Sequence, residues 1–105
     1  MDKMILVVDD EPLDRGILKN MLDQEYDVIE AGDGKEALGM LAQHKKSIVA
    51  VLLDLFMPQM DGFALLEAMR EDENCRSIPA LVLTASRDEA MELKALQCGA
   101  WDFIT

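Results

Sequence analysis

The sequence predicts an α/β domain built on one doubly wound parallel sheet, and three observations carry that prediction. Short apolar, β-prone runs alternate with segments of about ten residues whose apolar positions recur at helical spacing. The runs Met4 to Val8, Ile48 to Leu53 and Ala80 to Leu83 hold no polar side chain on either face, as expected of parallel strands covered on both sides by helices. The intervening loops are short and punctuated by Gly and Pro, so right-handed βαβ crossovers fix most of the topology.

Met4 to Val8 is the first strand, and it runs into the acids Asp9, Asp10 and Glu11. Pro12 then suits the first turn of a helix, where its missing N–H costs nothing, and Asp14 suits the positive end of the helix dipole. In that helix Leu13, Ile17, Leu18, Met21 and Leu22 recur at helical spacing, with Gly16 weakening it slightly. Asp14, Arg15, Lys19, Asn20 and Asp23 are left for the wet side. Tyr26 to Glu30 reads as a short second strand, closed by a turn at Gly32 and Gly34. A second helix from Lys35 to about Gln43 carries Ala37, Leu38 and Leu41 on one face, and His44, Lys45 and Lys46 suit its negative pole.

The third strand, Ile48 to Leu53, stops on Asp54, and Met57, Pro58, Asp61 and Gly62 end it and begin a third helix. Phe63, Leu65, Leu66 and Met69 form the apolar side of that helix, which runs out in the polar stretch from Arg70 to Asn74. Ala80 to Ser86 is a fourth strand ending on hydroxyls. A fourth helix from Arg87 to Gln97 places Ala90, Leu93 and Leu96 on its apolar side, with Gly99 as its stop. Trp101 to Thr105 begins a fifth strand.

Composition narrows the function. A chain of 105 residues with 50% apolar content makes one domain with a single core. A formal charge of -11, from 21 acids and 10 bases, argues against direct binding to nucleic acid or to an anionic membrane, both of which need a basic face. No apolar run reaches the roughly 20 residues that span a bilayer, and no signal-peptide pattern opens the chain, so the expected location is cytoplasmic. Cys75 and Cys98 form no C-x-x-C motif and read as reduced, incidental thiols. His44 reads as a helix-terminal histidine, since local spacing sets no acid or nucleophile beside it.

In a parallel sheet the strand ends deliver Asp9, Asp10, Asp54 and Thr84 to one edge, where ligands of open α/β sheets bind. Each residue alone has a bland reading: acids favour helix starts, and threonine is common in strands. Their convergence is what points to chemistry. Crowded carboxylates repel one another and raise some of their pKa values, a cost that a divalent cation removes. Oxygen ligands at an open edge suit magnesium, which keeps waters and reserves positions for phosphate oxygens, whereas zinc prefers His or Cys. Beside such an ion Asp54 can act as a nucleophile toward phosphorus and carry an acyl phosphate, with Thr84 donating to a phosphoryl oxygen. A modification of roughly -1.5 to -2 charge can draw that hydroxyl and its loop inward.

These residues resemble the receiver domains of two-component response regulators. The resemblance rests on Leu6 to Glu11, on Asp33 and Gly34 with Ala37 and Leu38, on Leu53 to Gly62, on Pro79 to Ala85, and on Gly99 to Phe103. It implies a flavodoxin-like (CheY-like) strand order 2-1-3-4-5. It also implies that Asp54 accepts a phosphoryl group from a phosphohistidine on a sensor histidine kinase or phosphotransfer protein, and switches an output domain or partner. Asp9, Asp10, Asp54 and the backbone carbonyl of Phe56 would bind Mg2+, Thr84 would be the switch hydroxyl, and Phe103 would be the switch aromatic. Phe56 and Ser86 occupy positions that tune the lifetime of the acyl phosphate. The chain would then be a signalling module that modifies itself, not an enzyme acting on external substrates.

Members of the family continue from a segment like Phe103 to Thr105 into Lys-Pro and a fifth helix. On that comparison the domain 1–105 is expected to be C-terminally incomplete, with the last helix absent and without the lysine that pairs with the phosphoryl group. One sheet face would then be covered by the first helix alone, exposing an apolar patch that lowers stability or drives self-association. The 105-residue chain alone is expected to give no phosphoryl adduct. The alternative reading is a receiver-like interaction module that is not phosphorylated in this form. A haloacid dehalogenase-type phosphatase needs a second acid two residues after the first, where this chain has Phe56. A dinucleotide-binding domain needs glycines after the first strand, where it has Asp9, Asp10, Glu11 and Pro12.

Overall fold

The computed structural model of the chain describes residues 3–55, 61–83 and 89–104. Its elements follow in the order β1 (Met4–Val8), α1 (Pro12–Leu22), β2 (Asp27–Ala31), α2 (Gly34–His44), β3 (Ile48–Asp54), α3 (Gly62–Glu71), β4 (Ala80–Leu83), α4 (Glu89–Cys98) and β5 (Asp102–Ile104). All paired strands are parallel, and the sheet order is β2-β1-β3-β4-β5. The order and the strand and helix count agree with the expectation within the described residues. Boundaries move by a residue or two, and the expected extension of the fourth strand through Thr84 to Ser86 lies outside them.

Local chemistry accounts for the helix ends. Pro12 opens α1. Asp33 caps α2 by accepting from the Glu36 N–H at 2.8 Å, and Asp61 caps α3 by accepting from the Ala64 N–H at 2.9 Å. The α4 helix closes on Gly99 at φ 121°, with the Gly99 N–H donating to Leu96 and the Ala100 N–H donating to Ala95, a paired ending that a left-handed residue permits.

The larger core lies on the side of the sheet covered by α2, α3 and α4. Leu6, Val8, Val51, Leu53 and Val82 from the strands meet Ala37, Leu41, Leu65, Leu66, Met69 and Ala95 from the helices. On the other side Ile5, Val7 and Leu52 are buried beneath Leu18 and Leu22 of α1, with Leu81 and Leu83 partly covered. Here the predicted helix face is split: Leu18 and Leu22 pack, but Leu13 and Met21 are 74% and 73% exposed and Ile17 is exposed too. The apolar positions of α1 span more of its circumference than one sheet contact can cover. A second correction concerns α4, where Ala90, Leu93 and Leu96 are exposed and the inward side is Met91, Ala95 and Cys98. Apolar residues stand on two sides of this helix, and packing against α3 selects the stripe with the small residues.

Candidate functional site

Register brings the acids together. Val8 of β1 is level with Leu53 of β3, so the next residues, Asp9 and Asp54, emerge side by side at the carboxyl edge. Asp10 follows on the turn into α1. Each of the three offers a carboxylate oxygen, and these oxygens lie within 4.8 Å of one another. They differ in surroundings: Asp9 is only 8% exposed, Asp54 is half-buried and Asp10 is exposed. Burial pushes the Asp9 carboxyl above its ordinary range, a hydrogen bond from the Glu11 N–H opposes this, and the charges of Asp54, Asp14 and Asp10 push it further up.

Asp9 is held at several points. Its N–H donates to the Ala31 carbonyl at 3.1 Å, tying it to the end of β2, and its Oδ1 accepts from the Glu11 N–H at 3.0 Å. Its carbonyl accepts from Arg15 Nη1 at 2.6 Å. The same guanidinium pairs through Nε with Glu30 Oε1 at 3.3 Å and lies against Gly32, so it bridges α1, the end of β1 and the end of β2. Assigning Arg15 to the wet side was incomplete: its side chain is largely buried. One local signal was available, because Arg15 stands one helical turn beyond Glu11 and therefore on the side of α1 nearest the strand end.

Beneath Asp54 the chain returns through Gly62. The Gly62 N–H donates to the Leu55 carbonyl at 2.8 Å, and a Cβ at this position would fall 2.6 Å from both the Asp54 carbonyl oxygen and the Leu55 Cα. Only glycine lets α3 start this close to the end of β3.

Among the described residues, a cluster of three carboxylates with no nitrogen or sulfur donor fits a hard divalent cation such as magnesium, which would relieve the repulsion between carboxylate oxygens this close together. His44 ends α2 at the opposite edge of the sheet and takes no part. Cys75 and Cys98 are free and buried, and burial raises both thiols, which makes them poor nucleophiles. Of the other predicted site residues, Phe56, Thr84 and Ser86 lie outside the described residues, and for Phe103 only the backbone is described, level with Val82 in β5. No helix among the described residues is long and apolar enough to cross a membrane.

Comparison with known proteins agrees with this site. The model of the response regulator receiver domain family matches residues 5–105. The response regulator PleD of Caulobacter vibrioides is 39% identical over 106 aligned positions, which cover all of this chain and 23% of PleD. The chain spans less than half the length of the first curated relatives it matches. Among solved structures, the chemotaxis protein CheY4 of Vibrio cholerae superposes with a TM-score of 0.91 at 26% identity, covering 100% of this chain and 87% of that one. The receiver domain of a sensor histidine kinase from Pseudomonas aeruginosa, solved with a magnesium ion coordinated in its active site cleft, gives 0.88 at 28% identity, covering 100% and 85%. The fold, the acidic edge and the family match together make the chain a member of the response regulator receiver domain family, a module of two-component signalling.

Proposed function

We propose that Asp54 accepts a phosphoryl group from a phosphohistidine on a sensor histidine kinase or phosphotransfer protein, in a magnesium-dependent reaction in the cytoplasm, and that the acyl phosphate switches contact with an output domain or partner. The observation that supports this most is the convergence of the Asp9, Asp10 and Asp54 carboxylates within 4.8 Å at the sheet edge. The magnesium ion in the homologous Pseudomonas receiver adds to it.

In this reading a carboxylate oxygen of Asp54 forms a bond to phosphorus as the P–N bond to the donor histidine breaks, and the electron pair leaves on the ring nitrogen. Asp9, Asp10 and Asp54, with the Phe56 carbonyl, would hold the cation. Magnesium there would screen the carboxylate from the incoming phosphoryl oxygens. The Thr84 hydroxyl donates to the bound phosphoryl group, Phe103 follows its movement, and Phe56 and Ser86 govern how readily water reaches the acyl phosphate. Receiver domains are signalling modules, and in this reading turnover is confined to the chain's own aspartate.

The test is incubation of the full-length protein carrying this chain with magnesium and acetyl phosphate, read by intact mass. The expected outcome is a single phosphoryl adduct in the wild type, lost in Asp54→Ala and on adding EDTA. An adduct that survives Asp54→Ala, or none in the wild type, defeats the proposal.

A further inference from the structure

We propose that Arg15 is a positioning residue for the acidic cluster: its guanidinium clamps the Asp9 main chain against β2 and so sets the geometry in which Asp9 can share a cation with Asp10 and Asp54. The inference rests on the cation-binding reading of that site. Arg15 donates to the Asp9 carbonyl at 2.6 Å and, through a different nitrogen, to Glu30 at 3.3 Å. Its own N–H is bound to the Glu11 carbonyl at 3.1 Å, so the arm that makes the clamp is rooted in regular helix. Glu30 is a strand residue of β2, and the Ala31 carbonyl next to it takes the Asp9 N–H. Asp9 is therefore gripped on both its main-chain polar groups by a frame of β2 and α1, while the Glu11 N–H orients the carboxylate.

The target of the clamp decides what it does. An arginine placed on the Asp9 carboxylate would neutralise a ligand and compete with a metal. This one reaches the carbonyl, so it fixes where Asp9 stands and leaves the ligand charge in place. Such a grip is needed because three carboxylate oxygens within 4.8 Å of one another repel, and an unheld turn would relax by moving Asp9 away. The planar fork of arginine suits a clamp with two ends, which the single ammonium of lysine cannot reproduce. Groups that orient metal ligands from outside the coordination sphere typically change affinity by about 10- to 100-fold when removed.

Magnesium binding by titration calorimetry on the full-length protein carrying this chain, with circular dichroism melts as the folding control, tests the inference. Arg15→Met is expected to weaken magnesium binding by about 10- to 100-fold, and Arg15→Lys is expected to stay well below the wild type. Glu30→Ala should weaken it in the same direction, whereas Glu30→Gln, which keeps an oxygen acceptor for the arginine, should bind near wild-type affinity. In acetyl phosphate reactions the magnesium dependence of Arg15→Met should shift to higher concentration, while the rate at saturating magnesium returns close to that of the wild type. A folded Arg15→Met that binds magnesium as the wild type does overturns the inference. If Arg15→Met fails to fold, the pair at Glu30 decides, and equal affinity of Glu30→Ala and Glu30→Gln overturns it. Absence of magnesium binding in the wild type overturns the cation-site reading itself, a result distinct from either.

Discussion

The two faces of this sheet are built from the same strands yet closed to different degrees. On one, α3 alone buries Gly62, Phe63, Leu65, Leu66 and Met69, and α2 and α4 add Ala37, Leu41, Ala95 and Cys98. On the other, α1 buries no residue fully, although Leu18 and Leu22 touch the strands, and Leu13, Ile17 and Met21 point outward. The difference teaches that apolar content does not decide how well a helix is buried. Among the described residues, α3 differs from α1 in having a helix packed on each flank, α2 and α4.

That comparison can be broken by substitution. The largest effect is expected on the closed face, where Leu65 is 0% exposed: Leu65→Ala should cost about 3–4 kcal/mol in urea unfolding, the range for a leucine whose cavity cannot collapse. At the edge between the faces the sign reverses. The folded Asp9 carboxyl holds its proton to higher pH than the unfolded one, so at any pH where both are ionised the metal-free fold carries a penalty from this group. The penalty fades as pH falls through the raised value toward the ordinary one. Asp9→Asn should therefore stabilise the metal-free protein where the wild-type group is ionised and flatten its dependence on pH below that point. Equal slopes for the two proteins would count against this. On the open face Ile17→Ser should change stability by no more than about 0.5 kcal/mol, and a loss as large as that of Leu65→Ala would erase the contrast drawn above.

Much of this was legible in the residues. Continuous apolar runs identified β1, β3 and β4 because parallel strands covered on both sides leave no place for polar side chains, and the acids closing two of them located the site. The faces of α2 and α3 were equally readable, since their apolar residues form a single stripe. In α1 and α4 they do not, and which stripe turns inward depends on neighbours that a local pattern does not contain. The role of Arg15 was hidden for a related reason. Its partner Glu30 is 15 residues away on β2, and only the fold makes them adjacent.

Gly62 has a mechanical consequence. Side chains absorb small displacements by changing rotamer, so a strand and a helix that meet through them are softly coupled. Here the end of β3 and the start of α3 meet backbone to backbone, with no room for even a methyl group between them. Such a joint has no rotamers to change. The main chain at Asp54 and the first turn of α3 therefore stand in direct backbone contact, with no side chain between them to absorb a displacement.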